Sequence, residues 1–142
     1  MYIGLVSEEQ QQVYRRISDR ADVLLDHLIK TLLFPHALEV NHWKQEIFSF
    51  VNDVPKLRNN KKFPRKKLIL QALSIYNDAV EAHVERVVLD EHDLNPVTTD
   101  AAYVLICVEE YQNWLASELS ERGYVRSADV YRKIDEIIER SK

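Results

Sequence analysis

The chain has 142 residues, with 19 basic against 23 acidic side chains, a formal net charge of −4, 46% hydrophobic and 30% charged residues. That composition belongs to a soluble globular domain, long enough to bury a core without disulfides or a structural metal. Only two glycines, Gly4 and Gly123, and one cysteine, Cys107, occur, which excludes glycine-rich phosphate loops, internal disulfides and multi-cysteine zinc sites.

The longest unbroken apolar run, Ala101 to Val108, is too short to span a bilayer. The N-terminus meets charge from Glu8 and has no secretory pattern. A cytoplasmic protein with one helical domain over residues 1–142 and no membrane association is therefore expected. Its four prolines and two glycines leave the stretches 5–34, 36–54, 65–95, 97–122 and 124–142 without breakers, and stretches of that length favour helices.

The first helix is expected to start at Ser7, because Ser7-Glu8-Glu9-Gln10 has the form of a capping box. Tyr14, Ile17, Ala21, Leu24 and Leu28 repeat behind it at helical spacing, and Pro35 sets an end near Phe34. A second helix from about Leu38 to Val51 presents Val40, Trp43, Ile47 and Phe50 on one face. Residues 56–64 read as a loop ending in Pro64, which suits the first position of a helix.

That third helix is expected to run to Asp90 with the stripe Ile69, Leu73, Tyr76, Val80, Val84 and Val87. After the polar segment 90–96, Thr98 or Thr99 is expected to cap a fourth helix that Gly123 closes. Its front half is apolar nearly all round, which places it centrally. A last helix starts near Ser127 and presents Val130, Ile134, Ile137 and Ile138. The fold class is all-α, a single-domain bundle of about five helices.

Charge is unevenly spread. Residues 1–55 carry 5 basic and 8 acidic groups, residues 56–67 carry 7 basic groups and no acid, and residues 68–142 carry 7 basic and 15 acidic groups. Lys56, Arg58, Lys61, Lys62, Arg65, Lys66 and Lys67 can contact phosphates or an acidic partner, with Phe63 available to stack on a base. Lys66 and Lys67 fall in the first turn of the third helix, where the dipole disfavours cations by about 0.3–1 kcal/mol. The acidic remainder of the chain repels a phosphate backbone, so nucleic acid ranks behind a protein partner.

Of the five histidines, His42 forms a Glu-x-x-His pair with Glu39. A di-iron carboxylate bundle needs two such pairs, and Glu81, His83 and Glu85 are spaced to different sides of a helix, so no metal or cofactor is expected. The His27/Lys30 spacing resembles that of histidine phosphotransfer bundles, although no small glycine follows it. Arg20 and His27, with six residues between them, resemble the Arg–His spacing of a family of helical nucleases, with Ala21 where a polar residue commonly stands. Cys107 reads as a buried, inert thiol.

Tyrosine and tryptophan side chains that bury large area and keep a polar handle are enriched at interfaces. Tyr111, Trp114, Tyr131 and Ile138 are the expected contacts of a homodimer formed through the last two helices. Together these features describe a non-enzymatic interaction module, a small regulator, adaptor or inhibitor, whose partner is a protein. The alternative is polyanion binding through residues 56–67.

Overall fold

Residues 8–52 and 65–140 are described by a computed structural model. They form six helices: α1 (Glu8–Leu33), α2 (Val40–Asn52), α3 (Arg65–Leu73), α4 (Val80–Asp90), α5 (Ala101–Arg122) and α6 (Ser127–Arg140). The protein is all-α, a bundle of five rods in which the third rod is interrupted between α3 and α4. The expected onset of α1 at Ser7 lies outside the described residues.

Each end has a local cause. Lys30 sits in the last turn of α1, where a cation complements the helix dipole. Pro35 then stops the helix one residue after Phe34, whose N–H still reaches the Lys30 carbonyl at 2.9 Å. Helix α2 begins at Val40 rather than Leu38. Helix α5 is capped by Asp100, whose carboxylate accepts from the N–H groups of Ala102 and Tyr103 at 3.1 and 3.3 Å. The two threonines lose this role because a carboxylate also complements the positive end of the dipole. The Thr98 hydroxyl instead accepts from the Asp100 N–H at 3.1 Å. Gly123 closes α5 as expected, at a left-handed φ of 78°.

The third rod breaks without a proline or glycine. In an unbroken helix the Asn77 N–H would donate to the Leu73 carbonyl. Here it donates to Ser74 at 2.9 Å, and a 3-10 turn (Asn77–Ala79) leads into α4. The abandoned Leu73 carbonyl accepts from Nε2 of Gln112 at 3.0 Å. Gln112 also donates to Oδ1 of Asn77 at 3.0 Å and accepts from its Nδ2 at 2.8 Å. One side chain from α5, 1% exposed, thus supplies the hydrogen bonds that the break removes.

Helix α1 packs against α2, α3, α4 and α5, while α6 closes the ring against α2 and α5. Helix α4 continues in the direction of α1: His83 meets Asp26, and the Val97 N–H just beyond α4 reaches the Leu33 carbonyl at 2.8 Å. One apolar cluster gathers Ile17, Leu28, Ile69, Leu73, Leu115 and Ile134. A second gathers Leu25, Ile29, Trp43, Val84 and Val108, and Leu32 packs against both. Fully burying side chains of this kind contributes about 1.5–3 kcal/mol each. Helix α5 has neighbours on several sides as its composition suggests, yet Ile106 is 63% exposed. No helix among the described residues is long and apolar enough to cross a membrane.

Tyr111 carries the one buried side-chain polar atom without a hydrogen-bond partner among the described residues, its hydroxyl. Burial drives its pKa well above the usual phenol range. A buried hydroxyl without a partner is costly, so Tyr111→Phe is expected to raise stability by about 1 kcal/mol. Thermal unfolding followed by circular dichroism would read this as a melting temperature a few degrees higher.

Candidate functional site

Lys56, Arg58, Lys61, Lys62 and Phe63 lie outside the described residues. Arg65, the first residue of α3, is 8% exposed and so belongs to the interior. It is withdrawn from the surface basic set, whereas Lys66 and Lys67 stand exposed in the first turn of α3 as expected.

The homodimer contacts fare differently. Tyr111 is wholly buried, with its ring 5.7 Å from that of Trp114, so it has no surface to offer a second copy. Trp114, Tyr131 and Ile138 are partly buried against the same core. On α6, Val130, Ile134 and Ile137 are covered by this chain itself. Ion pairs fasten that helix in place. Lys44 of α2 holds Asp135 at 2.8 Å, and Glu110 of α5 takes Lys133 at 3.2 Å and also Arg140.

The histidines do not converge. His42 is exposed and stands 4.0 Å from Glu46, not from Glu39. His92 lies 3.3 Å from Asp93. His27 turns back on its own helix, Nδ1 donating to the Val23 carbonyl at 2.8 Å. Among the described residues no group of three or more His, Cys, Asp or Glu is placed to hold a metal. Cys107 is buried, and burial pushes its thiol pKa up.

His83 shows a relationship that spacing could not reveal. Its Nε2 donates to Oδ1 of Asp26 on α1 at 2.9 Å, and Lys30 approaches Oδ2 at 3.0 Å. Arg86 places its Nη2 3.0 Å from the same ring nitrogen. Partial burial works to raise the Asp26 carboxyl. The hydrogen bonds and charges of His83 and Lys30 outweigh it and hold the carboxyl at about 2. The residues are 57 apart in sequence, and their contact clamps α4 to α1.

A further opening lies at the end of the bundle where α1 passes to α2 and α4 to α5. Pro35 and the backbone bond from Val97 to Leu33 bring two loops together there. Between them is a cleft of about 200 Å³, lined by Phe34, Pro35, His36, Ala37, Leu94, Asn95 and Val97. Leu38, next in the chain, is 97% exposed, and Val97 is 55% exposed. Glu39, Asp90, Glu91, Asp93 and Asp100 occupy the same loops and their edges, and no lysine or arginine occurs in residues 31–43 or 87–121.

No protein-family model, curated protein or solved structure matches this chain.

A single exposed leucine is ordinary. A cleft lined mainly by apolar side chains, with an exposed leucine beside it, has room for one apolar side chain, and the carboxylates carried by its two loops favour a positively charged neighbour. Sequence reasoning missed it because Leu38 reads as the first residue of α2. The signal that could have found it is the absence of any lysine or arginine from both loops.

Proposed function

We propose that this protein is a non-enzymatic helical interaction module, and that it binds a polypeptide partner at the cleft between the 34–39 and 91–100 loops. The observation that carries the reading is the cleft itself, lined mainly by apolar side chains and formed by two loops that carry carboxylates but no lysine or arginine. Burying Leu38 and filling the cleft with one large side chain would each contribute about 1.5–3 kcal/mol. The carboxylates select a partner segment rich in lysine and arginine and speed its approach. Polyanion binding at residues 56–67 has less support, because Arg65 is buried and the rest of the chain is acidic.

The test is an amide chemical-shift titration with a lysine-rich peptide carrying one phenylalanine, beside a peptide of equal charge lacking the ring and an acidic control. The first peptide is expected to move residues 36–38 and 94–97, the second to bind at least tenfold more weakly, and the third not to bind. Leu38→Asp, which has no packing to lose, should leave the melting temperature unchanged and weaken the first peptide at least tenfold. Equal binding of all three peptides, or shifts elsewhere, would overturn the reading.

A further inference from the structure

We infer that the side chain the cleft accepts is a tyrosine, carried by the basic segment of the partner and held at its hydroxyl by His36 and Asn95. The inference rests on the docking reading above and names what enters the site.

Two of the side chains that line the cleft are polar, His36 from the 34–39 loop and Asn95 from the 91–100 loop. The other four histidines each stand beside a partner within the chain. His27 has the Val23 carbonyl, His42 has Glu46, His83 has Asp26 and His92 has Asp93. His36 has no such partner among the described residues, and neither has the side-chain amide of Asn95. Both residues are exposed, so water satisfies them while the cleft is open.

A side chain that fills the cleft displaces this water. The ring of a phenylalanine covers the two polar groups and returns nothing to them, and a covered polar group without a partner is costly. Tyrosine brings the same ring to the apolar walls and adds a hydroxyl that both donates and accepts. An imidazole and a carboxamide each have a donor and an acceptor to offer it. The two loops can therefore satisfy the hydroxyl in either sense.

Other side chains fit less well. Tryptophan has a single N–H and no acceptor. A lysine ammonium inside the cleft would face mainly apolar side chains. The cations of the partner segment are matched instead by the carboxylates of the two loops, Glu39, Asp90 and Asp93 among them. A site that bonds a hydroxyl also rejects the analogue lacking it, because its own polar groups are then left unpaired.

The experiment compares two lysine-rich peptides of equal length and charge, one carrying tyrosine and the other phenylalanine at the same position. Each is titrated into the full chain, and into His36→Leu, Asn95→Leu and the double variant, with amide chemical shifts as the readout. Far-ultraviolet circular dichroism establishes that each variant is folded before it is used. The ratio of the two affinities carries the result, since damage to the cleft as a whole weakens both peptides alike.

The unmodified chain is expected to bind the tyrosine peptide about tenfold more tightly, the net worth of one or two hydrogen bonds. Each single variant should lose part of that preference, and in the double variant the ratio should fall towards one. Equal binding of the two peptides by the unmodified chain overturns the inference, as does a preference that persists in the double variant. If the phenylalanine peptide still moves residues 36–38 and 94–97 in either case, the docking reading survives and the cleft selects an apolar side chain alone. If neither peptide binds, both readings fall.

Discussion

Gln112→Ala is expected to lower stability by about 3 kcal/mol, a large share of the roughly 5–15 kcal/mol that holds a domain of this kind folded. The Leu73 carbonyl, which α3 leaves without a helical partner, loses the donor at 3.0 Å, and the Asn77 amide loses both of its bonds to Gln112. A buried polar group left without a partner costs about 1–3 kcal/mol. The removed side-chain volume adds a cavity term. Urea unfolding measures the total, and hydrogen exchange locates it: protection of the amides in α3 should fall more than that of α6. A double-mutant cycle with Asn77→Ala should return a coupling of about 1 kcal/mol, since each residue is the other's partner. A loss below about 1 kcal/mol for Gln112→Ala, with α3 still protected, would mean that the break is held by something else.

That break explains where sequence reading succeeded and where it stopped. Pro35 and Gly123 act through their own backbone geometry, so the ends they impose are legible from composition. The stripe from Ile69 through Leu73 and on to Val87 is also legible, because burial at helical spacing survives a local change of hydrogen bonding. The interruption between them is decided by Gln112, 39 residues away from Leu73, and no pattern within Ser74-Ile75-Tyr76-Asn77 announces it. Tyr76, expected on the buried stripe, is exposed at the break instead. The cap of α5 departs from expectation for a simpler reason: Thr98, Thr99 and Asp100 all have a side chain able to cap, and the carboxylate, which also complements the helix dipole, takes the position.

The candidate site was legible in its charge and not in its shape. Counting lysine and arginine along the chain isolates residues 56–67 at once. The complementary feature is an absence, the run from Val87 to Glu121 without a basic residue, and it gains meaning only when the Val97–Leu33 bond folds that run against the end of α1. The aromatic reading erred for a related reason. Tyr111 and Trp114 are interface residue types by composition, but the same large ring that suits an interface also suits a core. The position of Tyr111 on the inner face of α5 settles the matter.

The contact between Asp26 and His83 is equally invisible in sequence, and its strength is read by pH. Asp26→Asn keeps an oxygen that can accept from His83 and removes the charge. At pH 7 this substitution is expected to cost about 2 kcal/mol, in keeping with a carboxyl held at about 2 against an ordinary 3.8. The folded state holds the proton less tightly than the unfolded state does, so the contribution is complete above the ordinary carboxylate value. It declines as pH falls from about 4 towards 2. Unfolding in urea at pH 7, 5, 4 and 3 should therefore show the unmodified protein and Asp26→Asn separated by a constant interval at the upper two values, and converging at the lower two. Other carboxylates titrate in both proteins, and the difference between the two curves isolates Asp26. An interval that widened on acidification would reverse the sign, and would mean that the cluster of Asp26, Lys30, His83 and Arg86 favours a protonated carboxyl. Convergence would establish that an ionised Asp26 contributes to stability through its contact with His83, which joins α4 to α1.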